Sequence, residues 1–290
     1  MVDLALTCPK FERFVYVSTA YANTHLSSQS HQCDLRIDEK IYEVRSTCNA
    51  NVLAELEEVR KGGTSKAYEA ENFPWAYAYA KNLTERLLQH KFSAISLEEK
   101  LLIVRPSVIG PSQCLPYPGY VMPMSSPCIV GAAFACLFPL RTMKVATLLE
   151  EPETNIYVDI VPVDVVVDRL LAHLALNTFG CVHAVSGVKS RASFKFGYPK
   201  LMKLRRIPWG IRPVWLNEDW KSAKQHWIPR LYGILGASFT FSEEKTITLS
   251  KQLPDQKETG LQLFTKIDVL DELTSWTESI RYVMDKLAAK

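Results

Sequence analysis

Tyr77 and Lys81, four residues apart, are the pair best suited to chemistry in this chain. Residues at i and i+4 share one face of a helix, so a lysine ammonium can lie beside the phenol and favour its ionised form. An unperturbed tyrosine has a pKa of about 10, and such a neighbour makes it a usable proton donor near neutral pH. The spacing alone is a weak signal, because the same pair also arises by chance on solvated helix faces.

Three segments would position this pair. Residues 75–90 have the apolar spacing of a helix that carries both side chains. Residues 14–17 (FVYV) predict a short buried strand that ends in Ser18 and Thr19, and residues 101–104 (LLIV) predict a second strand. Ligands gather beyond the carboxyl ends of parallel strands, so the small polar residues there are candidates to line a site.

The other segments continue the same alternation of helices and strands. They are a helix over 49–61 before Gly62-Gly63, a strand over 156–161, a helix over 163–176 and a strand over 181–185. Alternation of this kind predicts an α/β fold with a Rossmann-like, mostly parallel sheet. We expect the strands at 14–17 and 101–104 to be neighbours in it, because strands joined by a helix usually are.

The pattern changes after about residue 190. Tryptophans recur among segments that contain basic residues and prolines. Residues 269–287 have helical spacing. We therefore predict two parts, a Rossmann-type part over 1–190 and a mainly helical accessory or lid region over 191–290. The tryptophans and basic residues of 203–230 suit ordinary packing, and they leave peripheral contact with a membrane open.

Composition argues against several classes of partner. A net charge of +3 does not indicate nucleic-acid binding. The seven cysteines include no CxxC pair and the six histidines no metal-ligand spacing, so neither a disulfide framework nor a metal site is predicted. The longest apolar run, 128–140, is shorter than the roughly 20 residues that span a bilayer, which favours a buried segment. Without a signal-peptide pattern at residues 1–10, we expect an intracellular protein, cytoplasmic or associated with an organelle membrane.

Several segments of the sequence resemble the fatty acyl-CoA reductases, also called male-sterility-type reductases, within the extended short-chain dehydrogenases. They are residues 14–21 (FVYVSTAY), 37–42 (IDEKIY), 77–81 (YAYAK), 103–110 (IVRPSVIG), 116–120 (PYPGY) and 158–166 (VDIVPVDVV). The resemblance extends over about residues 10–190.

The resemblance implies reduction of a long-chain fatty acyl-CoA by NADPH, first to the aldehyde and then to the alcohol. Tyr77 would donate a proton to the carbonyl oxygen, Lys81 would hold the nicotinamide ribose, and Thr19 would hydrogen-bond the same oxygen, with Ser18 as the alternative. The implied cofactor contacts are Ser18, Lys81, Pro106, Ser107 and Val108.

The family's Gly-rich turn, which brings backbone amides against the cofactor pyrophosphate, has no counterpart here, because the first glycine is Gly62. We therefore expect that the chain begins midway through the nucleotide-binding domain, as a truncated gene model, a fragment or a degenerate relative would. One edge of the sheet should then be uncovered.

Two other functions remain open at this point. A nucleotide-sugar epimerase or a hydroxysteroid dehydrogenase would share the Tyr/Lys pair, although residues 116–120 and 161–164 favour the acyl reductase. A noncatalytic remnant that serves as a binding module would explain the missing phosphate-binding turn.

Overall fold

The structure is a computed structural model, and it describes residues 1–29, 35–44, 51–122, 124–232, 235–254, 259–266 and 269–289. Strands and helices alternate along it, which confirms the predicted α/β class.

The strands are short, with two to six residues each. They are β1 (Phe14–Val17), β2 (Leu35–Ile37), β3 (Leu101–Pro106), β4 (Val108–Gly110), β5 (Thr142–Thr147), β6 (Tyr157–Val158), β7 (Ile160–Pro162), β8 (Gly180–Ala184), β9 (Ala192–Ser193), β10 (Arg212–Asn217) and β11 (Phe239–Phe241).

The helices range from single turns to long amphipathic segments. They are α1 (Val2–Leu6), α2 (Val52–Gly62), α3 (Lys66–Ala70), α4 (Ala76–Ser93), α5 (Pro127–Leu137), α6 (Pro152–Asn155), α7 (Val163–Ala175), α8 (Phe194–Met202), α9 (Trp227–Tyr232), α10 (Glu244–Ser250) and α11 (Val269–Ala288).

A parallel sheet of β1, β3 and β8, with β3 in the middle, is the centre of the fold. Val17 of β1 is level with Val104 of β3, which confirms the predicted pairing of these two strands. Among the residues described, β1 pairs on one side only.

Successive residues of β3 pack on opposite faces of this sheet, as strand geometry requires. Leu102 and Val104 face a cluster that includes residues of α7, whereas Leu101 and Ile103 pack against Leu88 and Phe92 of α4. Every residue of β3 is buried, in agreement with the continuous aliphatic run. Helix α4 is thereby fixed against the strand whose carboxyl end borders the candidate site.

Segments on the two sides of residue 190 pair with one another. Strand β10 lies parallel to β5, β11 parallel to β2, and β9 antiparallel to β6. Helix α11 packs on α5 through a cluster that contains Ile280, Met284 and Ile129. The run 128–140 therefore contains helix α5, which buries Ile129, Ala133 and Cys136 and leaves its other residues partly exposed. The division of the chain at residue 190 stays a prediction.

None of the described helices is both long enough and apolar enough to cross a membrane.

His183 of β8 is fully buried and is a core residue. Its Nδ1 lies 2.9 Å from the carbonyl oxygen of Ser242, and its backbone N–H donates to Glu39 at 2.8 Å. Burial lowers the pKa of His183 to about 3, and burial likewise lowers that of His173 on α7 to about 4. Both rings are neutral in the folded protein at neutral pH.

These two histidines should make the free energy of unfolding decrease as the pH is lowered. The unfolded chain takes up protons below about pH 6.5 while the folded chain does not, so the free energy of unfolding decreases below that pH by up to about 1.4 kcal/mol per pH unit for each ring. Urea unfolding of the wild type at pH 7 and pH 5.5 should show this decrease, and His183→Gln should show a smaller one. Replacing the exposed His90 should leave the wild-type decrease in place. Equal pH dependence in wild type and His183→Gln would contradict the prediction.

Candidate active site

Helix α4 presents one of its two neighbouring tyrosines to the surface and buries the other. Tyr77 is 51% exposed and Tyr79 is 5% exposed. The hydroxyl of Tyr79 donates to Glu55 Oε1 at 2.6 Å and lies 2.6 Å from Ser65 Oγ. Burial, together with the Glu55 carboxylate, raises the pKa of Tyr79. Tyr79 is therefore a structural residue, and Tyr77 is the one that a substrate can reach.

The Lys81 ammonium lies at the carboxyl end of β1. Its Nζ donates to the carbonyl oxygen of Val17 at 2.9 Å and lies 4.9 Å from the centre of the Tyr16 ring. The same Nζ is 5.9 Å from the centre of the Tyr77 ring, one turn earlier on the helix. The predicted shared face of Tyr77 and Lys81 therefore borders the end of this strand.

Ser18 and Thr19 continue β1 into the site, and both are buried. The backbone N–H of Ser18 donates to Val104 at 2.7 Å and so extends the sheet ladder by one residue. The Thr19 hydroxyl donates to the carbonyl oxygen of Pro106 at 3.4 Å. Ser18 Oγ has no partner among the residues that the structure describes, and a buried hydroxyl of this kind can take a hydrogen bond from a ligand.

Asp159 links the carboxyl ends of β3 and β8. Its carboxylate accepts the backbone N–H of Ser186 at 2.8 Å, and its carbonyl oxygen accepts that of Val108 at 3.2 Å. Burial raises the pKa of Asp159, while the hydroxyls of Ser107 and Ser186 beside it act in the opposite direction. The residues predicted after β3 are thus held at the same edge of the sheet as Thr19.

The structure places the predicted site residues at one edge. Lys81 is hydrogen-bonded to Val17, the residue before Ser18, and Thr19 is hydrogen-bonded to Pro106. The Tyr77 hydroxyl, in contrast, is not hydrogen-bonded to Thr19 or to any other residue in the described part of the chain. The chemical role of each residue stays a prediction.

A buried ion pair beneath this edge was not predicted. Arg105 of β3 donates to both carboxylate oxygens of Glu85, at 2.9 and 2.6 Å, and to the carbonyl oxygen of Lys40 at 2.8 Å. Arg105 and Glu85 are both 0% exposed. Glu85 follows Lys81 by four residues, so helical spacing places it on the face of Tyr77 and Lys81, but that spacing does not reveal Arg105 as its partner. The pair fixes the position of α4 on β3.

Asp164 holds the loop that follows β4. It lies in the first turn of α7, where a carboxylate interacts favourably with the helix dipole. Its carboxylate also accepts the backbone N–H groups of Gln113, Cys114 and Leu115, at 2.8, 2.7 and 3.0 Å. No side-chain pattern in the loop could have revealed this contact, because the donors are backbone groups.

Fatty acyl-CoA reductases are among the relatives of this chain. Fatty acyl-CoA reductase 2 of Homo sapiens is 27% identical over 216 residues, which are 71% of this chain and 38% of that protein. Fatty acyl-CoA reductase 1 of Xenopus laevis is 30% identical over 174 residues, 59% of this chain and 30% of the relative. The match thus spans less than half of the length of these relatives.

Among solved structures, the UDP-glucuronic acid 4-epimerase from Bacillus cereus in complex with NAD is similar with a TM-score of 0.48 at 10% identity, covering 96% of this chain and 64% of that one.

The family model described as male sterility protein matches residues 1–170. That range is more than half of the chain, and it contains β1, α4 and β3 with all the predicted site residues. The chain therefore belongs to the male sterility protein family, the fatty acyl-CoA reductase type of extended short-chain dehydrogenases.

Proposed function

We propose that this chain carries the catalytic half of a reductase that converts long-chain fatty acyl-CoA to fatty alcohol, through the aldehyde, with NADPH as reductant. The main support is the helix face shared by the exposed Tyr77 and the partly exposed Lys81 at the carboxyl end of β1. Coenzyme A thioesters and NADPH are intracellular metabolites, so an intracellular site of action, in the cytoplasm or at an organelle membrane, belongs to the proposal.

The residues at this edge fit the nicotinamide half of the cofactor, which would supply the hydride. Lys81 uses one ammonium proton on Val17, and an ammonium has three to donate, so a ribose hydroxyl can be held as well. The unpartnered Ser18 hydroxyl supplies a second polar contact. Pro106, Ser107 and Val108 border the same edge and would line the nicotinamide face. The preference for NADPH over NADH comes from the family.

Tyr77 would act as the general acid. Its hydroxyl would give a proton to the thioester carbonyl oxygen as hydride adds to the carbonyl carbon, and the Lys81 ammonium would stabilise the phenolate that remains. Thr19 would turn its hydroxyl from the Pro106 carbonyl to the same substrate oxygen. The carbon–sulfur bond of the hemithioacetal then breaks, which releases coenzyme A as the thiol and leaves the aldehyde. A second hydride and a second proton give the alcohol.

The test is acyl-CoA-dependent oxidation of NADPH by the longest polypeptide that the gene encodes around residues 1–290, with the lipid product identified by mass spectrometry. We expect fatty alcohol and free coenzyme A. Activity on a steroid or a nucleotide sugar in place of acyl-CoA would overturn the proposal in favour of another short-chain dehydrogenase. Absence of NADPH binding would favour a noncatalytic module.

Replacing Lys81 by alanine should weaken both cofactor binding and turnover. A hydrogen bond from a charged group contributes about 1.5–3 kcal/mol, so the dissociation constant for NADPH should rise by about 10- to 100-fold. Calorimetric titration of the same polypeptide measures this change. Lys91→Ala is the matched control, because Lys91 is in the last turn of the same helix and pairs with Asp3 at the surface. Equal affinity of the Lys81 and Lys91 variants would refute the assignment.

A further inference from the structure

Positive charge is concentrated in one part of the chain. Between residues 194 and 230, lysine and arginine outnumber aspartate and glutamate nine to two, so this segment has a formal charge of +7, against +3 for the whole chain. The rest of the chain is therefore net negative. A field of this kind draws anionic surfaces to one side of a protein.

Three aromatic rings, one exposed and two partly buried, form a cluster beside this segment. The Trp227 ring lies edge-on to Phe134 and Phe138 of the α5 region, with centroid distances of 5.7 and 6.0 Å. Phe134 and Phe138 stack on each other at 5.1 Å. Trp227 keeps 49% of its surface exposed. We call these three residues the aromatic cluster.

Arg205 connects the backbone at Phe138, in the aromatic cluster, to the backbone at Trp209. Its guanidinium donates to the carbonyl oxygen of Phe138 at 3.1 Å and to that of Trp209 at 2.9 Å. The Trp209 ring lies 4.4 Å from the guanidinium carbon of Arg141, so this cation is held close to the cluster.

Lys144 and Arg230 are two further exposed cations close to the aromatic cluster. The carbonyl oxygen of Lys144 accepts the backbone N–H of His226, next to Trp227, at 2.9 Å. Arg230 lies on α9, one turn after His226. The side chains of Arg141, Lys144 and Arg230 are exposed, and the ion pairs found in the described part of the chain include none of them. Their charges are available to an external partner.

We propose that the aromatic cluster and these three cations form a docking surface for an anionic phospholipid bilayer. Tryptophan prefers the headgroup region, where its ring is in apolar surroundings and its N–H stays near water, and phenylalanine can enter the acyl boundary. Lysine and arginine beside them are attracted to the negative lipid headgroups. Exposed aromatic surface together with uncompensated positive charge favours this partner over an acidic protein. The surface is built on α5, β5, the segment between them and α9, apart from the helix that carries Tyr77.

The test is cosedimentation of the chain with vesicles of phosphatidylcholine, with and without phosphatidylserine. We expect binding that requires phosphatidylserine and weakens in 1 M salt, where the Debye length is about 3 Å. Each cation near an anionic surface raises partitioning by about fivefold, so the triple variant Arg141→Gln/Lys144→Gln/Arg230→Gln should bind about 100-fold more weakly. Trp227→Gln should also weaken binding.

The matched control is Arg60→Gln/Lys61→Gln/Lys66→Gln, which removes three exposed cations on α2 and at the start of α3 and should bind like the wild type. Far-ultraviolet circular dichroism verifies that each variant is folded. If Arg141→Gln/Lys144→Gln/Arg230→Gln is not folded, the single variant Lys144→Gln is tested in its place. The proposal would be overturned if the two triple variants lost equal vesicle binding, or if the wild type bound neither kind of vesicle. It would also be overturned if Arg141→Gln/Lys144→Gln/Arg230→Gln bound vesicles like the wild type but lost affinity for soluble coenzyme A. Because the vesicles contain neither NADPH nor thioester, the result does not depend on the proposed reaction.

Discussion

Replacing Tyr77 by phenylalanine should lower the turnover of acyl-CoA by about 100- to 10,000-fold, because the substitution removes the proton donor and keeps the ring. Stability should change little, since Tyr77 is half exposed and its hydroxyl has no hydrogen bond in the described part of the chain. Binding of NADPH should survive. Steady-state kinetics of NADPH oxidation, with urea unfolding of the same samples, measures both quantities.

Tyr79→Phe is the control for this prediction, because it is the same substitution two residues along the same helix. It removes the donor to Glu55 and the contact with Ser65, so the free energy of unfolding should fall by about 1–3 kcal/mol. Turnover per folded molecule should stay near the wild-type value. If Tyr77→Phe kept wild-type turnover, or if Tyr79→Phe lost more turnover than Tyr77→Phe, the proton donor would be wrongly assigned.

Arg105→Met should destabilise the fold by about 3–5 kcal/mol. The substitution leaves the carboxylate of Glu85, which is 0% exposed, without its partner, and a buried unpaired charge is costly. The carbonyl oxygen of Lys40 also loses a donor. Equilibrium unfolding in urea should show a lower midpoint with an unchanged slope.

The double variant Glu85→Leu/Arg105→Met separates the cost of the orphaned charge from the contribution of the pair. Replacing both partners of a buried ion pair by apolar residues is often neutral, so the double variant should recover most of the stability that Arg105→Met loses. A single variant within 1 kcal/mol of the wild type, or a double variant less stable than the single one, would contradict this account.

The parts of the site that follow from local periodicity could be predicted from the sequence. Helical spacing places Tyr77 and Lys81 on one face, and the structure exposes Tyr77 while it buries Tyr79. The order of strand, helix and strand predicted that β1 and β3 are neighbours, and they pair from Phe14 with Leu101 onward. Both predictions depend on contacts within a few turns or on a strong topological preference.

Contacts between distant segments could not be predicted in the same way. Arg105 could have paired with any buried carboxylate, and its choice of Glu85 depends on how α4 lies across β3. The pairings of β11 with β2 and of β9 with β6 involve strands of two or three residues, which are too short to show an alternating pattern. These pairings depend on which distant segments lie close together in the folded chain, and the sequence pattern does not show that.

The contact of Asp164 with three successive backbone N–H groups also bears on which substitutions the loop can tolerate. Every amino acid except proline offers the same backbone donor. Positions 114 and 115 can therefore exchange their side chains freely as far as this contact is concerned, whereas position 164 accepts only a residue with oxygens at the same reach. This contact therefore constrains substitution at Asp164 on the helix, and it does not constrain the side chains of the loop that Asp164 holds.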